Sequence, residues 1–372
     1  MKILLAGGGS GGPVSPLLAV SAEINKTHKQ AEFLLVGTKT GPEGQMAKSA
    51  GINFAYINAP KFRRYFSLKN IAIPVLLLIS YFEAKKILKT FPADCVFGTG
   101  SFVQVPLVWA AWMSGIPVVL HQQDVIPSLA NRLCQFAAKK ITVTFPLSLT
   151  SFYSGFGILY KKRHGDKVVL TGNPFREQLH DGSKDKALKE FGLNSELPTL
   201  LVLGGGTGAE FLNNLIVDSL PQLSKTVQII HSTGAGKFKQ GHSDNYHPFE
   251  FISNMADAYA VADIVLARAG ISTITELSNL KKLSIIVAMP NSHQEANALY
   301  LLQMDSAIVL KQQGLSPRAL TTLVRRLIFS PQVDKGLKEN IAKIMPHTAR
   351  QRIAEIILNY SVKPWPQKQD QP

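Results

Sequence analysis

Short apolar runs alternate with amphipathic stretches along most of the chain. The first run, Lys2-Ile3-Leu4-Leu5-Ala6, leads into six residues of which five are glycine, Gly7 to Gly12, and then into Pro13-Val14-Ser15-Pro16 and an amphipathic stretch over 17–24. This pattern predicts a buried strand, a tight turn and a helix, with Ser15 as its cap and Pro16 at its first position. Further strands are predicted at 33–37, 54–57, 95–98, 116–120, 141–144 and 168–170, and helices at 43–50, from Pro106 and over 128–138. The Ser-, Gly- and Lys-rich stretch that runs up to Lys167 reads as loop. Strands that alternate with helices imply a parallel sheet covered by helices, an α/β architecture.

The opening device recurs. Residues 199–203 form a strand pattern, Gly204-Gly205-Gly206-Thr207-Gly208-Ala209 turns the chain, and 211–216 opens a helix. Two copies imply two α/β halves facing across a cleft, with a glycine loop on each side. Thr171-Gly172-Asn173-Pro174 breaks regular structure and marks the crossover. The halves are expected at 1–171 and 172–345. A basic linker over 181–189 leads into strands at 200–203, 227–232, 264–266, 285–287 and 308–310. A final helix at about 346–362, apolar at Ile353, Ile356 and Ile357, is expected to pack back on the first half, leaving 363–372 as a polar tail.

Composition narrows the partners. The 372 residues are 45% hydrophobic and 17% charged, enough for large cores, and the formal net charge of +15 points to nucleotides, pyrophosphates, an acidic membrane surface or nucleic acid. The basic residues are not interleaved with an aromatic platform, so nucleic acid is not expected. Cys95 and Cys134 give neither a disulfide framework nor a metal spacing. Met1 runs straight into the first strand, which leaves no room for a signal peptide. Lys61, Arg63, Arg64 and Lys69 precede an uncharged run over 71–79, and Lys85, Lys86 and Lys89 follow it. That run is short of the ~20 apolar residues a membrane span needs. Pro74 suits a first helical turn. Val75, Leu78, Ile79 and Phe82 share one face, expected to be buried. Leu76 and Leu77 point elsewhere and, with Arg63 and Arg64, offer a surface to an anionic membrane.

Glycines that feed a helix N-terminus favour an anion or a polar sugar, because bare backbone N–H groups approach the ligand closely. Both loops fit the dinucleotide spacing, through Gly7, Gly9 and Gly12 and through Gly204, Gly206 and Ala209. No acidic residue ends the following strand in either half, so a nicotinamide cofactor is not supported. Gly234-Ala235-Gly236-Lys237 is only part of a P-loop, with Phe238 where Ser or Thr belongs. In Ala267-Arg268-Ala269-Gly270-Ile271-Ser272-Thr273-Ile274-Thr275-Glu276 the chain turns at Gly270. Thr273-x-x-Glu276 reads equally as a capping box and as a Glu276 that accepts from two ribose hydroxyls. His293, Gln294 and Asn297 follow a strand, where sugar hydroxyls bind or a solvated helix begins. His121 and Asp124 also end a strand, and a histidine beside a carboxylate can deprotonate an acceptor hydroxyl. No D-x-D pair for a metal is present.

Taken together, the stretches 7–16, 98–124, 172–176, 204–213, 251–255, 268–276 and 293–298 resemble the MurG family over nearly the whole chain. The resemblance implies a GT-B fold, two Rossmann-like domains with parallel sheets facing across a cleft. It implies an inverting transfer of GlcNAc from UDP-GlcNAc to O4 of MurNAc in lipid I, the prenyl-pyrophosphate-linked acceptor, giving lipid II of the cell wall. Neither cofactor nor metal is implied, and the location would be peripheral, on the cytoplasmic side of the inner membrane. By the same resemblance Ile252 contacts uracil and Glu276 the ribose. Arg176, Gly206 and Thr207 hold the diphosphate. Ile271, Ser272, Thr273, Gln294 and Asp124 surround the GlcNAc, and Ile274 and Thr275 also belong to the donor site. Ser10, Gly11 and Gly12 face donor sugar and acceptor, and Gly12 and Pro13 border the acceptor. The family usually has His at Pro13, Glu-Gln-Asn where Gln122-Gln123-Asp124 stand, and Ser at Gly206. The chain therefore uses Asp124, with His121, as the expected base or its partner. Two alternatives keep the fold: a different lipid-linked acceptor, or a UDP-GlcNAc epimerase.

Overall fold

A computed structural model describes residues 1–60, 72–152, 165–205, 208–237, 241, 243–329 and 331–361, the side chains of 331–334 excepted. The chain divides into two compact units. One comprises Met1–Pro174 and His347–Pro372, the other Phe175–Pro346.

In the first unit the elements run β1 (Lys2–Ala6), α1 (Gly11–Thr27), β2 (Glu32–Gly37), α2 (Glu43–Ser49), β3 (Asn53–Tyr56) and α3 (Ile73–Thr90). Then come β4 (Cys95–Gly98), α4 (Gln104–Met113), β5 (Val118–Gln122), α5 (Leu129–Cys134), β6 (Lys140–Val143), α6 (Pro146–Ser151) and β7 (Val168–Leu170). All described pairings are parallel, in the order β3-β2-β1-β4-β5-β6-β7. Ala6 lies beside Val36 and Gly98, which aligns the carboxyl ends of β1, β2 and β4. Strand order advances one way from β1 to β3 and the other way from β4 to β7. Right-handed crossovers therefore put α1 and α2 on one face and α4 to α6 on the other. Side chains alternate across the sheet: Ile3 and Leu5 join Leu17, Val20 and Ile24 on one side, while Leu4 joins Val96, Leu107 and Leu120 on the other.

The second unit runs α7 (Lys184–Glu190), β8 (Thr199–Leu203), α8 (Glu210–Leu223), β9 (Gln228–Ser232), β10 (Tyr246–Phe249), α9 (Met255–Val261), β11 (Ile264–Ala267) and α10 (Ile271–Asn279). It continues with β12 (Ser284–Val287), α11 (Gln294–Gln303), β13 (Ile308–Leu310), α12 (Pro317–Phe329) and α13 (Pro331–Ile341). Its parallel sheet has the order β10-β9-β8-β11-β12-β13. The last helix, α14 (Ala349–Ser361), lies against α1 in the first unit. Ile353 and Ile357 enter the core of Leu17 and Ile24, and Arg350 Nε pairs with Glu23 Oε2 at 2.6 Å.

Several expectations are corrected. Helix α1 begins at Gly11, not at Pro16, with Ser10 extended as its N-cap. Pro13 falls in the first turn, where no donor is needed, so the helix starts ahead of Ser15, and Pro16 sits inside it. The stretch read as loop contains α6, with Pro146 at its start. The helix expected over 128–138 ends at Cys134, and the basic linker is helix α7, capped by Ser183, whose hydroxyl accepts from Lys186 N. Strand β10 was not anticipated. Its Pro248 suits only an edge, where one side of the strand has no ladder partner to feed. The predicted buried face of α3 is turned to solvent, Val75 being 62% and Phe82 61% exposed; Ser80, Ala84 and Leu88, one turn apart, face inward instead. Leu76 is exposed as well, and Leu77 is half-buried. Arg63 and Arg64 lie outside the described residues, as do Lys61, Lys69 and the tail from 363.

Candidate functional site

In the second unit the polar stretches 268–276 and 293–297 follow the carboxyl ends of β11 and β12, the end at which parallel sheets of this kind bind ligands. β11 ends at Ala267 and the chain turns through Arg268-Ala269-Gly270. Gly270 is the N-cap of α10, with no side-chain cap. Thr273 therefore stands inside the first turn and the capping-box reading fails. The Glu276 carboxylate is used elsewhere: Oε1 accepts from Arg176 Nη2 at 2.9 Å and Oε2 from the Tyr259 hydroxyl at 2.7 Å. Glu276 is buried and Tyr259 fully so, while the Arg176 side chain stays 43% exposed. Burial, reinforced by the charge of Glu276, raises the Tyr259 phenol well above its ordinary range, so it stays a donor. The result is a carboxylate in the second turn of α10, fixed in direction, with a partly exposed cation paired to it.

Around this centre Ile271 is buried, and Ser272 and Thr273 are partly exposed in the first turn. The Ser272 hydroxyl is buried without a hydrogen-bond partner among the described residues. Ile274 and Thr275, expected to line the donor site, face the interior, and Thr275 Oγ1 donates back to Ile271 O at 2.8 Å. The Ile274 amide is taken by Gly270 O at 3.0 Å, so the open N–H groups of the turn are those of Ile271 to Thr273. Gln294 opens α11, and its Oε1 accepts from Met289 N at 3.1 Å, while Asn297 Nδ2 donates to Ala269 O at 3.1 Å. Arg268 ties three strand ends together, with Nη1 on Val287 O and Ala288 O, both at 3.1 Å, and Nη2 on Gln312 Oε1 at 2.8 Å. Ile252 is buried between β10 and α9, beside an exposed Phe251. In the second glycine loop Gly208 has φ +69° and faces Thr233 O so closely that no Cβ fits. Gly206 and Thr207 lie outside the described residues. Tyr259, Arg268 and Gln312 escaped the sequence reading; an arginine at a strand's carboxyl end was the available signal for Arg268.

In the first unit the glycine loop is tied to its own protein. Gly8 N donates to Ser101 Oγ at 3.1 Å and Gly9 N to Glu43 Oε1 at 2.5 Å. The same Oε1 accepts from Thr38 N and Thr38 Oγ1, and Glu43 is fully buried. Gly9, at φ +84°, packs so tightly on Phe102 that a Cβ would clash. What remains open is the first turn of α1: Ser10 exposed, with Gly11, Gly12 and Pro13 partly so. Glu43 was not anticipated, because its role depends on contacts 34 residues away.

Asp124 is partly exposed on the loop after β5. An amide network holds that loop. Gln122 Nε2 donates to Asp124 O at 2.8 Å and Ile126 O at 3.0 Å, and Gln122 Oε1 accepts from Asn131 Nδ2 at 2.7 Å. Asn131 Oδ1 in turn accepts from Gln104 Nε2 at 2.7 Å. His121 is corrected from catalytic to structural. It is wholly buried, with Nδ1 2.9 Å from Thr142 Oγ1 and Nε2 2.8 Å from Asn173 Oδ1, and so cannot reach a substrate. Burial pulls its pKa down to about 4, and that of the buried His231 likewise to about 4. A histidine held neutral stabilises the fold fully above its unfolded value near 6.5 and loses that contribution as pH falls towards 4. For His121 alone this is worth roughly 3 kcal/mol. Thermal melts from about pH 7 down to about pH 4 are expected to show a steadily falling midpoint; a flat midpoint contradicts the assignment.

Residues 3–143 match the model of the glycosyltransferase family 28 N-terminal domain, and 199–355 that of the glycosyltransferase family 28 C-terminal domain. A UDP-N-acetylglucosamine--N-acetylmuramyl-(pentapeptide) pyrophosphoryl-undecaprenol N-acetylglucosamine transferase of Thermoanaerobacter sp. (strain X514) is 32% identical over 370 residues, covering 96% of this chain and 99% of the relative. The protein of the same name from Clostridium kluyveri is 34% identical over 336 residues, covering 88% and 92%. Among solved structures, the Acinetobacter baumannii MurG superposes with a TM-score of 0.71 at 24% identity over 96% of this chain and 99% of its own. The UDP-GlcNAc 2-epimerase of Neisseria meningitidis reaches 0.69 at 17%, over 96% and 100%. Two parallel sheets of this order, matched over 96% of the chain by that MurG structure, define a GT-B fold, and the two family 28 domains make the chain a glycosyltransferase. The chain belongs to the MurG family of N-acetylglucosamine transferases of peptidoglycan synthesis, and is an enzyme.

Proposed function

We propose that the chain transfers GlcNAc, with inversion, from UDP-GlcNAc to O4 of MurNAc in undecaprenyl-pyrophosphoryl-MurNAc-pentapeptide, giving lipid II. The observation that carries the donor assignment is Glu276, aimed by Tyr259 and Arg176 in the second turn of α10. Its remaining lone pairs accept from the two ribose hydroxyls, and uracil meets the backbone at Ile252. Arg176, the α10 N-terminus and the loop of Gly206 and Thr207 disperse the charge of the departing diphosphate. Ile271 to Thr273 and Gln294 border the GlcNAc.

In the reaction the acceptor O4 attacks the anomeric carbon from the face opposite the diphosphate. The C–O bond to phosphate breaks as the new one forms, and the O4 proton passes to a base. Asp124 is that base; its loop is already ordered by Gln122. Ser10, Gly11 and Gly12 present backbone to the sugars, and Pro13 narrows the acceptor side. Among the described residues no helix is long and apolar enough to cross a membrane. The exposed Val75, Leu76, Ile79 and Phe82 of α3, with Leu77 beside them and Trp112 of α4, instead seat the first unit on the anionic cytoplasmic surface of the inner membrane. Arg63 and Arg64 add charge to the same sequence region.

Incubation with labelled UDP-GlcNAc and synthetic lipid I tests the reading. Label in a lipid-linked disaccharide is expected. A new free UDP-sugar identifies an epimerase instead, and transfer only to another prenyl-linked sugar changes the acceptor.

A further inference from the structure

The two helical layers of the first unit differ in how they meet water. Among its described residues, Tyr56 apart, the large apolar side chains that stay exposed all lie on α3 to α6 or the turns adjoining them; α1, α2 and α14 carry none. The exposure does not stop at α3 and α4. Helix α4 packs against α3 on one side and α5 on the other. On α5 Leu129 and Leu133 share one face, Ile126 lies in the bend before the helix and Phe136 in the turn after it, and each of the four is about half exposed. Cations accompany both ends of the layer, with Lys85, Lys86 and Lys89 exposed on α3 and Arg132 and Lys139 on and after α5.

We propose that α5 is a second membrane anchor, so that the whole α3–α6 layer, not α3 alone, lies on an anionic bilayer. The inference rests on the membrane reading above and extends it. Continuity with α3 and α4, and cations beside the apolar face, select an anionic lipid surface as the occupant. The consequence for the reaction is positional. Ile126 follows Asp124 by two residues, and Gln122 bonds the carbonyls of both. Seating α5 on the bilayer brings the Asp124 loop to the level at which the sugar of a prenyl-pyrophosphate emerges from the headgroups.

The test compares full-length variants by co-sedimentation with vesicles of phosphatidylglycerol and phosphatidylcholine. Leu129→Ser/Leu133→Ser/Phe136→Ser is expected to lower partitioning at least tenfold. Arg132→Gln/Lys139→Gln, which removes charge without touching apolar packing, is expected to lower it about threefold, on anionic vesicles only. In both, the thermal midpoint, UDP-GlcNAc binding and transfer to a short-chain, water-soluble acceptor analogue are retained, while transfer to vesicle-embedded acceptor falls in step with partitioning. Val75→Ser/Phe82→Ser serves as the control for the α3 reading. If it lowers partitioning and both α5 variants bind as wild type, the second anchor is refuted and the first stands. If no variant changes partitioning, the membrane reading itself fails. If the triple variant instead dissolves a dimer seen by sedimentation without vesicles, and still binds vesicles, the α5 face joins copies of the chain and the proposal is overturned.

Discussion

Glu276→Ala raises KM for UDP-GlcNAc about a hundredfold and changes kcat much less. Hydrogen bonds to a charged group contribute roughly 1.5–3 kcal/mol each. A ribose diol offers two donors, and a tenfold change in affinity corresponds to about 1.4 kcal/mol. Two such bonds at the low end of that range come to about 3 kcal/mol, or roughly a hundredfold in affinity. Tyr259→Phe is the graded companion. It removes only the donor that aims Oε2, at 2.7 Å, and should raise KM about tenfold. Initial rates over a range of UDP-GlcNAc concentrations at saturating acceptor check both. A Glu276→Ala enzyme with KM within threefold of wild type removes the carboxylate from the donor site.

Asp124→Asn is expected to lower turnover by about 10²- to 10⁴-fold, the usual contribution of a positioned base, with the Kd for UDP unchanged. The substitution keeps the size of the side chain and leaves the main-chain carbonyl that Gln122 holds at 2.8 Å. What it removes is the capacity to take a proton from the acceptor hydroxyl. Calorimetric titration of the nucleotide alongside single-turnover transfer separates binding from chemistry. Undiminished single-turnover transfer excludes Asp124 as the base.

Much of this was legible along the chain because it is local. Glycine runs after apolar strands, and helices after the runs, name both loops and both sheets, and Gly172-Asn173-Pro174 lies where one unit gives way to the other. Other features were hidden because they arise between distant residues. Nothing near Glu43 announces that it will cap Gly9, and Tyr259 meets Glu276 only once α9 and α10 flank β11. Thr273 and Glu276 have the spacing of a capping box, yet the start of the helix at Gly270 decides otherwise. Periodicity found the apolar stripe of α3 but not its direction. The small residues Ser80 and Ala84 face inward, where α3 packs on α4, and the bulky ones are left outside. His121 had the residue type of a base, and only its enclosure by Thr142 and Asn173 removes it from that role.

The return of α14 to the first unit orders events during synthesis. Ribosomes release the second unit's residues before Ile353 and Ile357 exist to fill the socket beside Leu17 and Ile24. The amino-terminal half must therefore wait, with one apolar flank bare, until the closing helix leaves the exit tunnel and Arg350 finds Glu23. A nascent chain that stalls after the second sheet is complete holds a finished carboxyl-terminal lobe and an unsealed amino-terminal one, the kind of intermediate that chaperones recognise.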